Sequence, residues 1–265
     1  MLTVTRLTKI FNRGTPNEKG ALSDVSLTIG GGDFVTMIGG NGAGKSTLLN
    51  CVAGVFPIDA GEIRIDGILV NRWSEHKRAK YLGRVFQDPM MGTAADMTIE
   101  ENLALANRRG QRRTLRWGVT HPERARYAEM LSALGLGLEH RTNGKVGLLS
   151  GGQRQALTLV MAILKTPKLL LLDEHTAALD PKTAEKVLTL TNEFVQKDKL
   201  TTLMVTHNMR HALAYGNRLL MMHEGRVIVD VRDEDKRRLT VEDLLAMFEQ
   251  ASGQALDNDR MLLSQ

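Results

Sequence analysis

Residues Gly39 to Ser46, "GGNGAGKS", match the spacing G-x-x-x-x-G-K-[ST]. Glycine at 39, 42 and 44 lets backbone N–H groups curl around a phosphate chain. Lys45 brings an ammonium to its outer phosphates, and the Ser46 hydroxyl suits Mg2+. A second pattern, "LLLLDEH", sets Asp173 and Glu174 just past a continuous apolar run. In an open α/β sheet, ligands bind outside the carboxyl ends of the strands. There Asp173 helps to hold Mg2+, and Glu174 polarises a water for attack on the terminal phosphate. Gln87 after "GRVF" and His207 after "LMVT" end two further apolar runs in the same way. Gln87 suits a reach to Mg2+ or water, and His207 a contact with the terminal phosphate. Either one alone is uninformative, and a lone histidine is more often structural. Phe11 has two readings, a stack on an adenine ring or a place in the core.

A second phosphate site stands over 100 residues further on, in "LLSGGQRQAL". Ser150 suits the N-cap of a helix, and Gln153 falls at the capping-box spacing. Glycine costs roughly 1 kcal/mol against alanine in a helix interior, so Gly151 and Gly152 need a reason. At a helix mouth they leave N–H groups uncovered at the positive end of the dipole, where an anion sits.

The elements that must carry these residues follow from periodicity. "LTVTRLTKIF", "FVTMIG", "EIRIDG", "LGRVFQ", "KLLLLDE" and "TTLMVTH" read as strands, and "NRLLMMHEGRVIVD" as a hairpin about Glu224 and Gly225. "STLLNCVAG" and "PKTAEKVLTLTNEFV" read as helices. From about Asp88 to Thr166 the pattern is helical, with capping boxes at Thr98/Glu101 and Thr120/Glu123 and a stop at Gly135. Uninterrupted apolar strands separated by helices predict an α/β fold with a mainly parallel sheet covered on both faces. The expected division is a core of residues 1–87 and 167–230, a helical subdomain of 88–166, and a tail of 231–265. In that tail "LTVEDLLAMFEQ" is an amphipathic helix packed on the outside.

The chain has 265 residues and one cysteine, so no internal disulfide forms and nothing points to an oxidising compartment. The amino terminus lacks the pattern of a secretory signal, and no apolar run approaches the roughly 20 residues of a membrane span. The expected location is cytoplasmic. The formal net charge of +5 permits an anionic partner without requiring one. Arg108, Arg109, Arg112, Arg113 and Arg116 form a basic stretch that reads either as a solvated loop or as a contact with lipid headgroups or a partner protein.

With these residues in hand the chain resembles the ATP-binding subunits of ABC transporters, roughly from Leu2 to Asp230. The phosphate loop Gly39–Thr47, Gln87, the signature Leu149–Gln153, the Asp173–Glu174 pair, Ala178–Asp180 and His207 occur in the family's order. The resemblance implies a P-loop ATPase with a mixed-sheet core and an inserted helical subdomain, binding ATP and Mg2+. It adds Asn41, Ala43 and Thr47 to the nucleotide-binding set. It further implies a head-to-tail homodimer in which Ser150, Gly151, Gly152 and Gln153 cap the ATP on the other chain's loop. Asp180 would lie across the same interface. Gly40 and His175 depart from the family pattern, where proline is usual, and His175 reads either as a nucleotide contact or as a local structural group. The implied setting is the cytoplasmic face of the inner membrane, beside permease subunits and a substrate-binding protein, with no nucleic acid. "DEHTAALDPKTAEKV" and "TTLMVTHNMRHAL" are similar to an importer subgroup proposed to handle amino acids such as tryptophan or tyrosine. The alternatives are an exporter ATPase, or a soluble ABC-type ATPase acting on a protein or nucleic-acid assembly.

Overall fold

Leu2 and Val4 are buried, as are Leu7 and Lys9, so the inward alternation of the first strand changes phase between residues 4 and 7. A register shift lies at that point, and Arg6 takes a φ of 46°. One extra residue in a strand turns every following side chain to the other face, and the bulge here keeps the apolar residues inward. The computed structural model describes residues 1–111 and 118–252. They fall into two units, residues 1–78 with 199–252, and residues 79–111 with 118–198.

In the first unit, β1 (Leu2–Phe11) pairs antiparallel with β2 (Lys19–Ile29). β3 (Phe34–Gly39) is buried at every residue and runs into α1 (Lys45–Ala53). β4 (Ala60–Ile65) pairs antiparallel with β1 and with the short β5 (Ile68–Leu69), and α2 (Glu75–Arg78) ends the segment.

The second unit opens on β6 (Leu82–Val85), followed by α3 (Ile99–Asn107), α4 (His121–Ser132) and α5 (Gly151–Ile163). β7 (Leu169–Asp173) lies parallel to β6, and α6 (Pro181–Asp198) completes the unit. The capping boxes at Thr98/Glu101, Thr120/Glu123 and Ser150/Gln153 are all formed.

The chain then re-enters the first unit with β8 (Thr202–Val205), α7 (Met209–Ala214), β9 (Arg218–His223) and β10 (Arg226–Arg232). β3 pairs in parallel with β8 on one side and β9 on the other, while β10 returns antiparallel, which makes this sheet mixed. Glu224 and Gly225 both have positive φ, as a two-residue turn between right-twisting strands requires. α8 (Asp233–Arg238) and α9 (Val241–Ser252) follow. α9 buries Leu244 and Phe248, one helical turn apart, in a cluster with Ile38, Leu219 and Met221.

In the second unit α5 packs on β6 and on α6, and β6 pairs with β7. Arg112, Arg113 and Arg116 of the basic stretch, and residues 253–265 of the tail, lie outside the described residues.

Candidate functional site

The phosphate loop leaves β3 at Gly39, whose φ is 151°, and closes at Gly44, whose φ is 101°. A Cβ on Gly39 would overlap the Met222 carbonyl oxygen, and one on Gly44 would sit 2.6 Å from that of Ala21. Close backbone approach therefore demands glycine at both ends of the loop. At Gly40, by contrast, an added Cβ would meet nothing within 4 Å. The loop is braced by Ala43 N–H to the Gly40 carbonyl (3.2 Å) and Gly225 N–H to the Ala43 carbonyl (3.0 Å).

Lys45 is only 6% exposed, and its ammonium donates to the carbonyls of Gly39 (2.8 Å) and Gly40 (3.1 Å). A buried cation is thus held inside the curl of the loop. Ser46 is exposed on the first turn of α1, with Asn41 exposed, Ala43 buried and Thr47 half-buried nearby in the chain. α1 has no side-chain cap, unlike α3, α4 and α5 with their boxes, and its first turn holds no acidic residue. An uncapped, acid-free helix start is a ready anion site.

β8 pairs Val205 with Met37 of β3, and Thr206 N–H donates to the Met37 carbonyl at 3.1 Å. His207 therefore emerges, half-buried, at the same sheet edge as Gly39. Phe11 is half-buried, with its ring edge-on to Phe56 at 5.2 Å and the Lys9 ammonium 5.3 Å from its centroid.

In the second unit the register pairs Val85 with Leu172, so Gln87 and Glu174 each stand two residues beyond one strand pair. Gln87 is exposed, and the Gln155 amide of α5 donates to the preceding Phe86 carbonyl at 3.2 Å. Asp173 ends β7, and Glu174 takes a φ of 42°. The same left-handed conformation occurs at Arg6, Asp24 and Glu224, and here it turns the chain out of β7.

His175 is buried, with Nε2 3.2 Å from the Thr191 hydroxyl. The Thr191 hydroxyl also bonds the Val187 carbonyl (2.8 Å), tying His175 to α6.

At the mouth of α5, Ser150 Oγ accepts from Gln153 N–H (3.3 Å) and Gln153 Oε1 accepts from Ser150 N–H (3.2 Å). The two glycines differ. A Cβ on Gly152 would overlap Thr183 Cγ2 of α6, whereas one on exposed Gly151 would only touch Leu179 at 3.7 Å. Packing within this unit explains Gly152 and leaves Gly151 unexplained.

Asp180 has a local task, accepting from Thr183 N–H at 3.1 Å at the start of α6. The Thr183 hydrogen bonds hold its carboxyl below the usual range. One buried residue carries no motif at all. The Arg78 guanidinium donates to the carbonyls of Cys51 (2.7 Å) and Val52 (2.9 Å), closing the carboxyl end of α1, and to those of Trp73 (3.1 Å) and Asn71 (3.3 Å).

The loop, its buried lysine and the uncapped helix start define a phosphate-binding α/β protein, and sequence comparison narrows the class. The family model described as "ABC transporter" matches residues 22–177. The tyrosine transport ATP-binding protein of Clostridioides difficile (strain R20291) is 46% identical over 253 residues, 95% of this chain and 100% of that protein. The phosphonates import ATP-binding protein PhnC 1 of Ruegeria sp. (strain TM1040) is 32% identical over 238 residues, 87% of this chain and 88% of that protein. A dimeric, post-hydrolysis structure of an ATP-binding cassette bound to ADP and Pi matches with a TM-score of 0.76 at 30% identity, covering 91% of this chain and 100% of that one. The chain belongs to the ABC transporter family, as an ATP-binding and ATP-hydrolysing subunit.

Proposed function

We propose that this chain binds Mg-ATP on the Gly39–Thr47 loop and hydrolyses it to drive a separate membrane permease. The cargo is a small solute taken up across the membrane, and the similarity to a tyrosine transport ATP-binding protein favours an amino acid. Among the described residues no helix is long and apolar enough to cross a membrane. In this reading, which rests on the similarity to import ATP-binding subunits, the chain works as a peripheral subunit on the cytoplasmic face, beside permease subunits and with a substrate-binding protein in the same system.

Each residue has a role in this reading. Loop amides and the first turn of α1 hold the phosphates, Lys45 neutralises the outer ones, and Phe11 stacks on the adenine. Glu174 accepts the proton of the attacking water, with His207 on the terminal phosphate and Gln87 orienting the water. The donors that would hold Mg2+, the Ser46 hydroxyl, the Asp173 carboxylate and the Gln87 amide, are all oxygens. One carboxylate fits this ion, which keeps waters and substrate phosphates as its other ligands. When bound, Mg2+ neutralises charge that develops on the phosphates. Two chains pair head to tail, so that Ser150, Gly151, Gly152 and Gln153 of one chain meet the ATP on the loop of the other.

The observation that carries the hydrolytic reading is the place of Glu174, one residue past the carboxyl end of β7 and level with Gln87. Its test is the Glu174→Gln chain, which keeps the shape and removes the base. It is expected to retain labelled ATP in a filter-binding assay and to release no phosphate. Hydrolysis at the wild-type rate overturns the assignment of the base.

A further inference from the structure

The start of β2 is pressed against the outside of the phosphate loop. The Ala21 carbonyl oxygen would lie 2.6 Å from a Cβ on Gly44 and 2.8 Å from one on Gly225. Ser23 N–H also donates to the Gly225 carbonyl at 2.9 Å. Glycine at both positions lets the strand and the loop meet at backbone distance.

Two residues before Ala21, exposed Lys19 sets its ammonium 3.7 Å from where a Cβ on Gly42 would be. Among the described residues no carboxylate pairs with it. The neighbouring Glu18 is engaged elsewhere, accepting from Gly14 N–H at 2.6 Å.

Three sources of positive potential therefore border one short loop: Lys45 within it, the uncapped start of α1, and Lys19 over its middle. Positive potential gathered this close to one loop favours a polyanion there.

We propose that Lys19 is a second phosphate-binding cation, reaching over Gly42 to the phosphate chain of the ATP that the loop and Lys45 hold. The proposal rests on the ATP reading of that loop. The Lys19 side chain is exposed, so its contact is screened by water and salt and contributes less than the buried lysine. Removing the ammonium should weaken ATP binding about three- to tenfold, the range of a partly solvated charge-assisted hydrogen bond.

The experiment uses the full chain and measures the affinity for Mg-ATP by displacement of a fluorescent ATP analogue, alongside the melting temperature without nucleotide. Lys19→Ala should lose about three- to tenfold, Lys19→Glu more, and Lys19→Arg little, with all three melting as the wild type does. The gap between wild type and Lys19→Ala should narrow as salt rises. Wild-type affinity in both Lys19→Ala and Lys19→Glu overturns the proposal. Failure of the underlying ATP reading looks different, because then Lys45→Ala would bind as the wild type does or the wild type itself would bind no ATP.

Discussion

The two adjacent glycines at the mouth of α5 look equivalent in the chain, yet they do different work. Gly152 sits where any side chain meets Thr183, while Gly151 is exposed and faces no such obstacle. Gly152→Ala is therefore expected to lower stability by about 1–3 kcal/mol through overpacking, part of which the better helix propensity of alanine offsets. Thr183→Ser removes the obstructing methyl, so the double variant should recover most of the loss, a coupling that chemical denaturation of all four chains reads directly. Gly151→Ala should leave stability within about 0.5 kcal/mol of the wild type. It should still depress ATP turnover, because the methyl stands over the amides proposed to meet the nucleotide. Equal stability of the two single variants would remove the packing explanation for Gly152.

Elements set where these residues stand, and the least visible of them is the carboxyl end of α1. Arg78 is 2% exposed and closes that end through backbone carbonyls alone, bringing Asn71 and Trp73 to the same guanidinium. Arg78→Met keeps the apolar stem and strands those carbonyls, so it should lower the free energy of unfolding by about 2–4 kcal/mol in urea. A change within 0.5 kcal/mol would mean that water replaces the guanidinium. The β9–β10 hairpin carries a pH-dependent tie of its own. Asp230 accepts from buried Arg218 through both carboxylate oxygens (2.7 and 2.6 Å), which holds its carboxyl below the usual range. A depressed carboxylate stabilises the fold above its unfolded value of about 3.9, and that contribution is lost as pH falls through the folded value. Asp230→Asn should thus be less stable than the wild type at pH 7, with the two denaturation midpoints converging below about pH 4. A gap that stays constant down to pH 3 would count against the pair. Such ties explain why some elements were legible in the sequence and others were not. Helices α3, α4 and α5 announce themselves by their capping boxes, and β3 and β7 by unbroken apolar runs between turn residues. β2 does not, since its register slips against β1, Asp24 takes a positive φ and Gly20 interrupts its start. Lys19 and Arg78 act through what the fold brings beside them, Gly42 and the end of α1, and no spacing along the chain encodes that.

At the scale of the whole molecule, the two helix starts proposed to meet phosphate, α1 and α5, lie in different units. Their amides differ, since α5 commits Gln153 N–H to its own Ser150 while α1 has no side-chain cap. Under the proposed head-to-tail pairing, one nucleotide is held by α1 of one chain and met by α5 of the other. ATP then stabilises the dimer by mass action, and hydrolysis removes that stabilisation. The variant that binds without turning over should expose this linkage. Glu174→Gln, of 29.3 kDa as a single chain, is expected to double in mass by light scattering when Mg-ATP is added and to return when it is washed out. Adding Lys45→Ala to that background should abolish the shift by removing the nucleotide. Adding Ser150→Arg should abolish it too, while leaving ATP bound to each separate chain. That last combination separates the two helix starts: a Ser150→Arg, Glu174→Gln chain that still doubles in mass would mean that α5 does not meet the nucleotide of a second chain.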